Sequence, residues 1–565
     1  MFTNIALKRG IHFAKRPNLF KKAFVPNHSR FCRSYTQGKK QLEKEQLLLI
    51  SLASEGDVDG IINLLESTPA LDVNASDYDG RTALHLACSE GHIEVVKYLL
   101  NKGANVHATD RWNNTSLRSA AFHHYASIAT LLRERGATLR VEGLAMSELE
   151  ARKLNNGEQS EEFKLKVEGI KHIFDSLADG VQNVTSVNVS SLEQYLRSKG
   201  IHSRNIVVKQ ELNQLRSGSI IEWDDFLKMM LGEKSIIQLA MYDRLIVKDW
   251  SKFIEKITIL FQNVQREVHE GKNADYIPEL STVDPELFSV SICTVDGQQF
   301  DIGDTDAEFS IQSASKPMLY SLALERYGPK YVHEYVGMEP SGAAFNSFTL
   351  NSENKPHNAC INAGAIVVCG LMYPELSVAE RFKKLNTEFS AFLGGEKAGF
   401  NQSVYLSEKD TAHRNKALSY FMASNGAFPK NVDIDETLDF YLQMCSIEVN
   451  SNQLAKVAAT YANYGVCPTT GSTILSYDTV RRTAQLLFNC GMYDYSGRWA
   501  NSTGLPAKSG VSGCLYIVVP GVLGMAVYSP RLASHGNTVR GIEFAHRAAE
   551  TFGWNIFDVV YNMKR

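Results

Sequence analysis

The sequence is poor in cysteine: nine cysteines are scattered among its 565 residues. Their number is odd and no two form a C-x-x-C pair, so the pattern predicts neither a disulfide framework nor a zinc site. Long apolar runs are also missing. The best candidate, Cys514–Tyr528, is too short for a membrane span and is interrupted by Pro520. We therefore expect buried strands there, no membrane insertion and a reducing compartment.

Acidic residues are absent from the first 42 positions, which contain ten Lys or Arg. A basic, acid-free N-terminus with scattered apolar residues is typical of a mitochondrial transit peptide. We therefore predict a transit peptide over residues 1–42 and a location in the mitochondrial matrix. A disordered basic tail and a cytoplasmic location are the alternative. The formal net charge of −3 does not favour nucleic acid as a partner.

A repeat with a period of 33 residues relates positions 77–109 to positions 110–142. Within it, the segment Thr82–Ala87 is close to the ankyrin signature T-P-L-H-x-A. A less regular copy precedes it, so residues 45–142 are predicted to form a stack of three ankyrin repeats. Such stacks bind proteins and carry no chemistry. We therefore expect a protein partner here and a hydrogen-bonding role for His85.

The middle of the chain contains a polar segment followed by a helical one. Residues 143–162 are polar and predict a linker, and helical periodicity returns over residues 163–240 in two helix-loop-helix units. Aligning the glycine of either loop, Gly180 or Gly218, with position six of a calcium loop places a leucine at position three. Calcium needs an oxygen ligand there. The pattern predicts an EF-hand-like helical domain without calcium.

The composition of residues 241–565 is that of an α/β enzyme, and its main chemical feature is Ser313 followed by Lys316. Pro317 must lie in the first turn of the helix that follows, since proline in a helix interior costs about 3 kcal/mol. Ser313 is therefore predicted at the helix start with Lys316 on its face. A lysine of lowered pKa can take the proton of a serine hydroxyl. The spacing alone also fits a plain helix cap, and it recurs at 352–355.

A second element supports nucleophilic chemistry. Lys508–Gly510 precedes an apolar strand, as K-T-G does in the β-lactamases that carry S-x-x-K. The backbone N–H groups of Val511 and Ser313 would then form an oxyanion hole. The S-D-N element is missing, and we interpret Tyr461–Asn463 as helix surface rather than its substitute. These elements predict an acyl-transfer hydrolase. An amidase and a penicillin-recognising hydrolase are both enzymes of this kind. The alternative outside this class is an ankyrin scaffold that carries a dead enzyme domain.

Residues 276–546 resemble the serine-dependent glutaminase family in a nearly continuous series of matches. The matching segments are Ala274–Pro278, Gln312–Ser313, Lys316–Pro317, Glu339–Gly342, Lys355–Asn358, Ile361–Ile366, Ser407–Glu408, Arg414–Asn415, Asp439–Tyr441, Cys490–Asp494 and Gly504–Val511. The helical segment is similar to the region that precedes the catalytic domain in the animal, phosphate-activated branch. The resemblance implies an α+β, β-lactamase/transpeptidase-like catalytic domain, preceded by the all-α ankyrin stack and the EF-hand-like domain.

The resemblance also implies hydrolysis of L-glutamine to L-glutamate and ammonia through a serine acyl-enzyme, without cofactor or metal, in a homotetramer. The implied catalytic groups are Ser313 as nucleophile, Lys316 as its base, Tyr493 as proton relay with Tyr441 close by, and the oxyanion N–H groups of Ser313 and Val511. The implied substrate-binding residues are Tyr276, Gln312, Ser313, Asn362, Glu408, Asn415, Tyr441, Tyr493 and Val511, with Glu408 pairing with the α-ammonium.

Two departures from the family concern regulation. The ankyrin repeats precede the catalytic domain, whereas they follow it in the animal relatives. The loop Gly337–Leu350, which corresponds to the family's gating loop, lacks the Lys and Arg that are common there. The resemblance therefore does not transfer phosphate activation to this chain.

Overall fold

The computed structural model describes residues 45–557, with gaps at 78–79, 111–114, 123–124, 138–160, 179–183, 233–234, 268–269 and 345. The chain divides into two compact units, Met1–Ser160 and Glu161–Arg565. The predicted transit peptide and most of the predicted linker lie outside the described residues. Among the helices of the described ranges, none combines the length and the hydropathy that a membrane span requires.

The first unit is built from helices that repeat at the predicted period. They are α1 (45–55), α2 (Val58–Ser67), α3 (Ala83–Glu90), α4 (Ile93–Asn101), α5 (Ser116–Phe122) and α6 (Ala126–Glu134). Equivalent leucines of the two regular repeats, Leu84 with Leu117 and Leu99 with Leu132, are all buried in one apolar core. Each helix pair therefore shields the next, as expected of a repeat stack.

His85 stabilises the start of α3, as predicted. Its Nδ1 atom lies 2.9 Å from the Thr82 hydroxyl oxygen, and the Thr82 backbone N–H donates to the same nitrogen at 3.2 Å. The second contact belongs to a capping box, in which the Thr82 side chain also accepts from the His85 backbone N–H, so two backbone donors without a partner in the helix are satisfied. The side chain is buried and serves the fold.

The second unit begins with a small helical segment. Its elements are α7 (Glu161–Ser176), β1 (Ser186–Asn188), α8 (Val189–Ser198), α9 (Ile206–Leu215), β2 (Arg216–Ser217), β3 (Ile220–Glu222), α10 (Trp223–Leu231) and α11 (Ile236–Met241). The three strands pair antiparallel in the order β1-β3-β2, so the loops of the two helix pairs are joined by a sheet. Helix α7 begins two residues before the predicted boundary at 163, and Gly180 lies outside the described residues.

The rest of the second unit contains both helices and strands. The helices are α12 (Trp250–Arg266), α13 (Pro278–Ser281), α14 (Lys316–Val332), α15 (Asn362–Leu371), α16 (Val378–Phe392), α17 (Gln402–Thr411), α18 (His413–Ser424), α19 (Ile434–Cys445), α20 (Ser451–Ala462), α21 (Tyr477–Cys490), α22 (Ser496–Ser502) and α23 (Val539–Phe552). The strands are β4 (Ser289–Thr294), β5 (Gln299–Gly303), β6 (Phe309–Ser310), β7 (Gly399–Phe400), β8 (Ile447–Val449), β9 (Ala507–Ser509), β10 (Cys514–Val519) and β11 (Leu523–Tyr528).

A five-stranded antiparallel sheet, ordered β5-β4-β11-β10-β9, forms the centre of this part. Every residue of β10 and β11 is buried, because helices cover both faces of the sheet. Leu515, Ile517 and Val519 pack with α12 and α23, while Tyr516 and Val518 face the cluster that contains α20. The apolar run seen in the sequence is therefore a pair of buried strands, as predicted.

The helical segment is joined to the sheet through Gln298. Its backbone forms an antiparallel bridge with Ile201. Its side-chain oxygen accepts from the Val247 N–H at 3.0 Å, and its amide donates to the Lys199 and Val247 carbonyls at 2.8 and 3.0 Å. The predicted boundary between residues 240 and 241 therefore falls inside one compact unit.

Candidate active site

Ser313 lies in a 3-10 turn, Gln312–Ser315, that leads directly into α14. Ser315 occupies the N-cap position of α14, and Pro317 lies in its first turn as predicted. Ser313 is therefore not the helix cap, which removes the simplest structural explanation for this serine. Gln312, with a φ of 47°, has a backbone conformation that costs energy for a residue other than glycine. The turn holds Ser313 with only 8% of its surface exposed.

Lys316 is buried below the turn with neutral partners. Its Nζ donates to the Asn362 side-chain oxygen at 2.6 Å, and the Tyr441 ring centre lies 5.7 Å away. Asn362 in turn donates to the Asn415 side-chain oxygen at 3.0 Å. Burial lowers the pKa of Lys316, although the Glu408 carboxylate opposes this. A lysine of lowered pKa loses its proton more readily, and the deprotonated amine is the form that can accept a proton from a serine.

Glu408, in α17, is buried on the opposite side of the turn. The Gln312 amide donates to its Oε2 at 3.3 Å. Burial raises the pKa of Glu408 to about 7, while the Gln312 hydrogen bond and the Lys316 charge act in the other direction. In the described part of the chain, no cationic side chain forms an ion pair with this carboxylate. Its charge is available for a positively charged ligand.

Two tyrosines surround this carboxylate. Tyr441, in α19, is buried, and desolvation followed by the nearby Cys445 and Glu408 raises its pKa. Tyr276 exposes 52% of its surface as a whole residue. Its hydroxyl group is nevertheless desolvated, and this desolvation, followed by the Glu408 charge, raises its pKa. Both phenols therefore lie within electrostatic range of Glu408, and they combine an apolar ring with a hydrogen-bonding tip.

Tyr493 connects the nucleophile to the edge strand β9. Its hydroxyl donates to the Ser509 carbonyl at 2.9 Å, and it also shares a hydrogen bond with the Ser313 side chain. Because the phenol O–H donates to the Ser509 carbonyl, the phenol oxygen accepts a hydrogen bond from the Ser313 hydroxyl. Burial raises the pKa of Tyr493. Val511 is buried in the same apolar cluster as Tyr493, so the predicted relay and the predicted oxyanion residue are neighbours.

A glycine allows β9 to approach the serine turn. A Cβ atom at Gly510 would lie 2.9 Å from the Ile311 carbonyl and 2.6 Å from the Cys514 sulfur, closer than real Cβ contacts. Gly510 therefore lets the strand end that carries Val511 pack against the turn that carries Ser313. This close approach is the structural reason for the glycine of the Lys508–Gly510 pattern.

Tyr461 is a site-supporting residue that the sequence analysis misjudged. It lies in helix α20 as expected but is 2% exposed, so its assignment to the helix surface is wrong. Its hydroxyl donates to the Pro317 carbonyl at 3.3 Å and lies 3.0 Å from the Ser321 hydroxyl. It therefore supports the first turns of α14, directly behind Lys316.

A cavity of about 540 Å³ borders the site. Its wall includes residues 340–344, part of the loop predicted to gate the site, and Tyr493. Ser313, Lys316 and Glu408 do not line it. The cavity therefore adjoins Tyr493 without including the predicted nucleophile in its wall. Among the described residues, no group of three His, Cys, Asp or Glu side chains is placed to hold a metal ion.

Residues 271–557 match the family model described as Glutaminase, and residues 48–142 match the one described as Ankyrin repeats (3 copies). The mitochondrial liver isoform of glutaminase from Rattus norvegicus is 36% identical over 393 residues, 68% of this chain and 65% of the relative. A glutaminase from Microcystis aeruginosa is 42% identical over 313 residues, 54% of this chain and 91% of the relative.

The solved structures agree with these matches. A probable glutaminase superposes with a TM-score of 0.52 at 35% identity, covering 54% of this chain and 98% of that one. A protein named Mglu, solved in its Tris and glutamate form, gives a TM-score of 0.51 at 34% identity over 54% of this chain and 67% of that one. The chain spans only 56% to 65% of the length of the animal relatives it matches.

Proposed function

The chain belongs to the glutaminase family, and from this premise we propose that it hydrolyses L-glutamine to L-glutamate and ammonia through an acyl-enzyme on Ser313. One observation carries the proposal. A buried serine and a lysine of lowered pKa lie beside a buried carboxylate that has no ion-pair partner among the described residues. The first pair supplies a nucleophile, and the carboxylate supplies a counter-charge for an amino acid.

The chemistry follows from these contacts. The Ser313 oxygen attacks the side-chain amide carbon while its proton passes to the Lys316 amine, either directly or through the Tyr493 hydroxyl, which gives up its own proton as it receives the new one. The backbone N–H groups of Ser313 and Val511 stabilise the negative charge on the amide oxygen. The C–N bond breaks as Tyr493 gives its proton to the departing nitrogen and regains one from the Lys316 ammonium, and ammonia leaves. Water then attacks the ester carbon and releases glutamate.

Substrate selection rests on the polar groups around the turn. Glutamine carries an α-ammonium, an α-carboxylate and a neutral side-chain amide. We assign the ammonium to Glu408 and the carboxylate and amide to the donors of Gln312, Asn362, Asn415 and Tyr276. Gln312 is hydrogen-bonded to Glu408, and Asn362 to Asn415, before substrate arrives, which lowers the cost of ordering these four side chains.

An ammonia-release assay with glutamine and asparagine tests the proposal. Ser313→Ala should abolish turnover and leave the melting temperature nearly unchanged, and intact mass spectrometry of the wild type should detect a γ-glutamyl adduct on Ser313. Activity near wild type in the variant would contradict the assignment. Release from another amide but not from glutamine would favour a different amidase, and no turnover of any amide would favour an ankyrin scaffold with an inactive domain.

We also propose the finer features of the architecture and setting. The antiparallel sheet covered on both faces, with the nucleophile at a helix start beside an edge strand, supports a β-lactamase-like catalytic domain. The strand-linked helix pairs support an EF-hand-like segment, and leucine at loop position three supports the absence of calcium binding. Calcium titration followed by calorimetry tests the latter, and any stoichiometric heat would contradict it.

The relatives support the remaining proposals. The rat relative is named a mitochondrial isoform, and the basic leader of this chain supports import into the matrix, with residues 1–42 removed. We further propose a homotetramer and a protein partner for the ankyrin stack at residues 45–142. Organelle fractionation with N-terminal sequencing tests the import into the matrix. Light scattering coupled to size exclusion tests the homotetramer.

A further inference from the structure

Tyr493 lies at a strained point of the backbone. It begins a 3-10 turn, Tyr493–Tyr495, and its φ of 54° falls in the left-handed region, which costs energy for a residue other than glycine. Such a conformation persists only where the surrounding structure enforces it. The place of the Tyr493 hydroxyl beside Ser313 therefore depends on what holds residues 492–496, here named the relay turn.

The relay turn supplies part of this support itself. The Ser496 hydroxyl donates to the Tyr493 carbonyl at 2.7 Å and accepts from the Met492 N–H at 3.0 Å. The Tyr495 N–H donates to the Met492 carbonyl at 3.1 Å. These bonds lie within the turn, so they set its shape but not its position relative to the nucleophile.

A second loop, closed by an antiparallel bridge between Leu532 and Thr538, packs on the relay turn. Its Asn537 is fully buried, and the side-chain amide donates to the Met492 carbonyl at 3.3 Å. That carbonyl belongs to the peptide group between Met492 and Tyr493, and the orientation of this planar group sets the φ of Tyr493. Asn537 therefore acts on the strained torsion from outside the turn.

Two further contacts of this loop surround the tyrosines of the relay turn. The His535 ring stacks on the Tyr495 ring, with centres 4.5 Å apart, and its Nδ1 lies 2.7 Å from the Asn537 side-chain oxygen. A Cβ atom at Gly536 would lie 3.8 Å from the Tyr493 ring, so the loop backbone borders that ring. A His535 N–H directed at the side-chain oxygen leaves the amide NH2 group of Asn537 facing the relay turn.

We propose that Asn537 is a positioning residue for the proton relay, which holds the strained backbone of Tyr493 so that its hydroxyl stays within reach of Ser313 and of the departing nitrogen. His535 assists by orienting the Asn537 amide. The proposal rests on the function proposed above. Neither residue needs to contact substrate, so the loss of either should slow the chemistry more than it weakens binding.

Asn537→Ala tests the proposal in full-length protein acting on glutamine. The change removes the donor to the Met492 carbonyl, so we expect kcat to fall about tenfold or more, with KM changed less than about threefold. His535→Phe keeps a ring to stack on Tyr495 but removes the contact with the amide. We expect a smaller loss of kcat there, about threefold, again with little change in KM.

Asn205→Ala is the matched control. Asn205 is equally buried, and its amide donates to the Pro468 carbonyl at 3.4 Å, outside the site. This variant should unfold at lower temperature and keep the wild-type kcat. An unchanged kcat in Asn537→Ala, or an equal loss of kcat in both variants, would overturn the proposal.

A Tyr493→Phe background separates positioning from general damage to the site. The hydroxyl to be positioned is then absent, so adding Asn537→Ala should lower kcat by less than about twofold. Single-turnover measurements with enzyme in excess reach the low rates involved. An equal loss in both backgrounds would overturn the proposal, as would wild-type activity of Tyr493→Phe.

Folding is followed by thermal melting of every variant. If Asn537→Ala does not fold, the same comparison of backgrounds with His535→Phe decides, and failure of both to fold would overturn the proposal, since the loop would then serve the fold. A wild-type protein that releases no ammonia from glutamine would instead refute the proposed function itself.

Discussion

Glu408 is a single residue whose environment sets a pH dependence for substrate binding. Burial holds its pKa at about 7, above the ordinary range of a glutamate. Below that pH the carboxyl is protonated and loses the charge that would bind an α-ammonium. Raising the pH through 7 restores the charge. Binding of an amino acid should therefore weaken as the pH falls, even where the nucleophile is intact.

Measuring KM for the Glu408→Gln variant tests this pH dependence of substrate binding. The amide keeps the size of the side chain but has no charge at any pH, so we expect KM for glutamine to rise by about tenfold or more. In the wild type KM should increase as the pH falls from about 8 to 6, and in the variant it should stay flat. Steady-state kinetics across that range measure both. An unaltered KM in the variant would remove Glu408 from the ammonium role.

The residues of the site were predictable to different degrees. Ser313 and Lys316 were found from a spacing that also occurs at 352–355, and only the helix start and the distant Lys508–Gly510 pattern distinguish the two. In the structure the second copy lies in a loop. The sequence suggested no contact for the buried side chain of Lys508, whose Nζ lies 4.4 Å from the Tyr493 ring centre, because that contact depends on how the edge strand folds back on the turn at Tyr493.

At the scale of elements, the strands were easier to predict than the helix faces. Continuous apolar runs bounded by turn residues predicted β10 and β11, and their burial on both faces explains those runs. Helix α20 was assigned correctly as a helix but with an exposed face that it does not have. It contains Lys456, which suggests solvent contact, yet that lysine is buried and paired with Glu396. Such pairings are not visible in sequence.

Tyr461→Phe tests whether α20 supports the helix that carries Lys316. The change removes the hydroxyl that donates to the Pro317 carbonyl while keeping the buried ring. We expect a loss of about 1 kcal/mol in the free energy of unfolding, measured by urea denaturation. Tyr420→Phe is the control, since that tyrosine is 54% exposed and its hydroxyl bonds to Asp435 at the surface. A wild-type stability in Tyr461→Phe would show that the hydroxyl gives no support.

At the scale of the whole molecule, the sequence predicted a boundary between two domains where the structure has a shared unit. The helical segment and the sheet are joined by Gln298, one neutral residue that follows a turn, and composition carries no signal for such a contact. The Asn205 side chain adds to this junction by donating to the Pro468 carbonyl at 3.4 Å. The helical segment is therefore part of the fold that carries the site, although it contributes no residue to the predicted chemistry.

Gln298→Ala tests whether the helical segment and the sheet unfold together. The side chain is fully buried and makes three hydrogen bonds to the backbone of Lys199 and Val247. Its removal leaves a buried N–H and two carbonyls without that partner, so we expect a loss of about 3 kcal/mol or more in stability. Because the helical segment and the sheet share this contact, the second unit should still unfold in one transition, at lower temperature. The exposed Gln402→Ala is the control and should change stability by less than about 0.5 kcal/mol. Two separate calorimetric transitions for the second unit of the wild type would show instead that the helical segment folds independently.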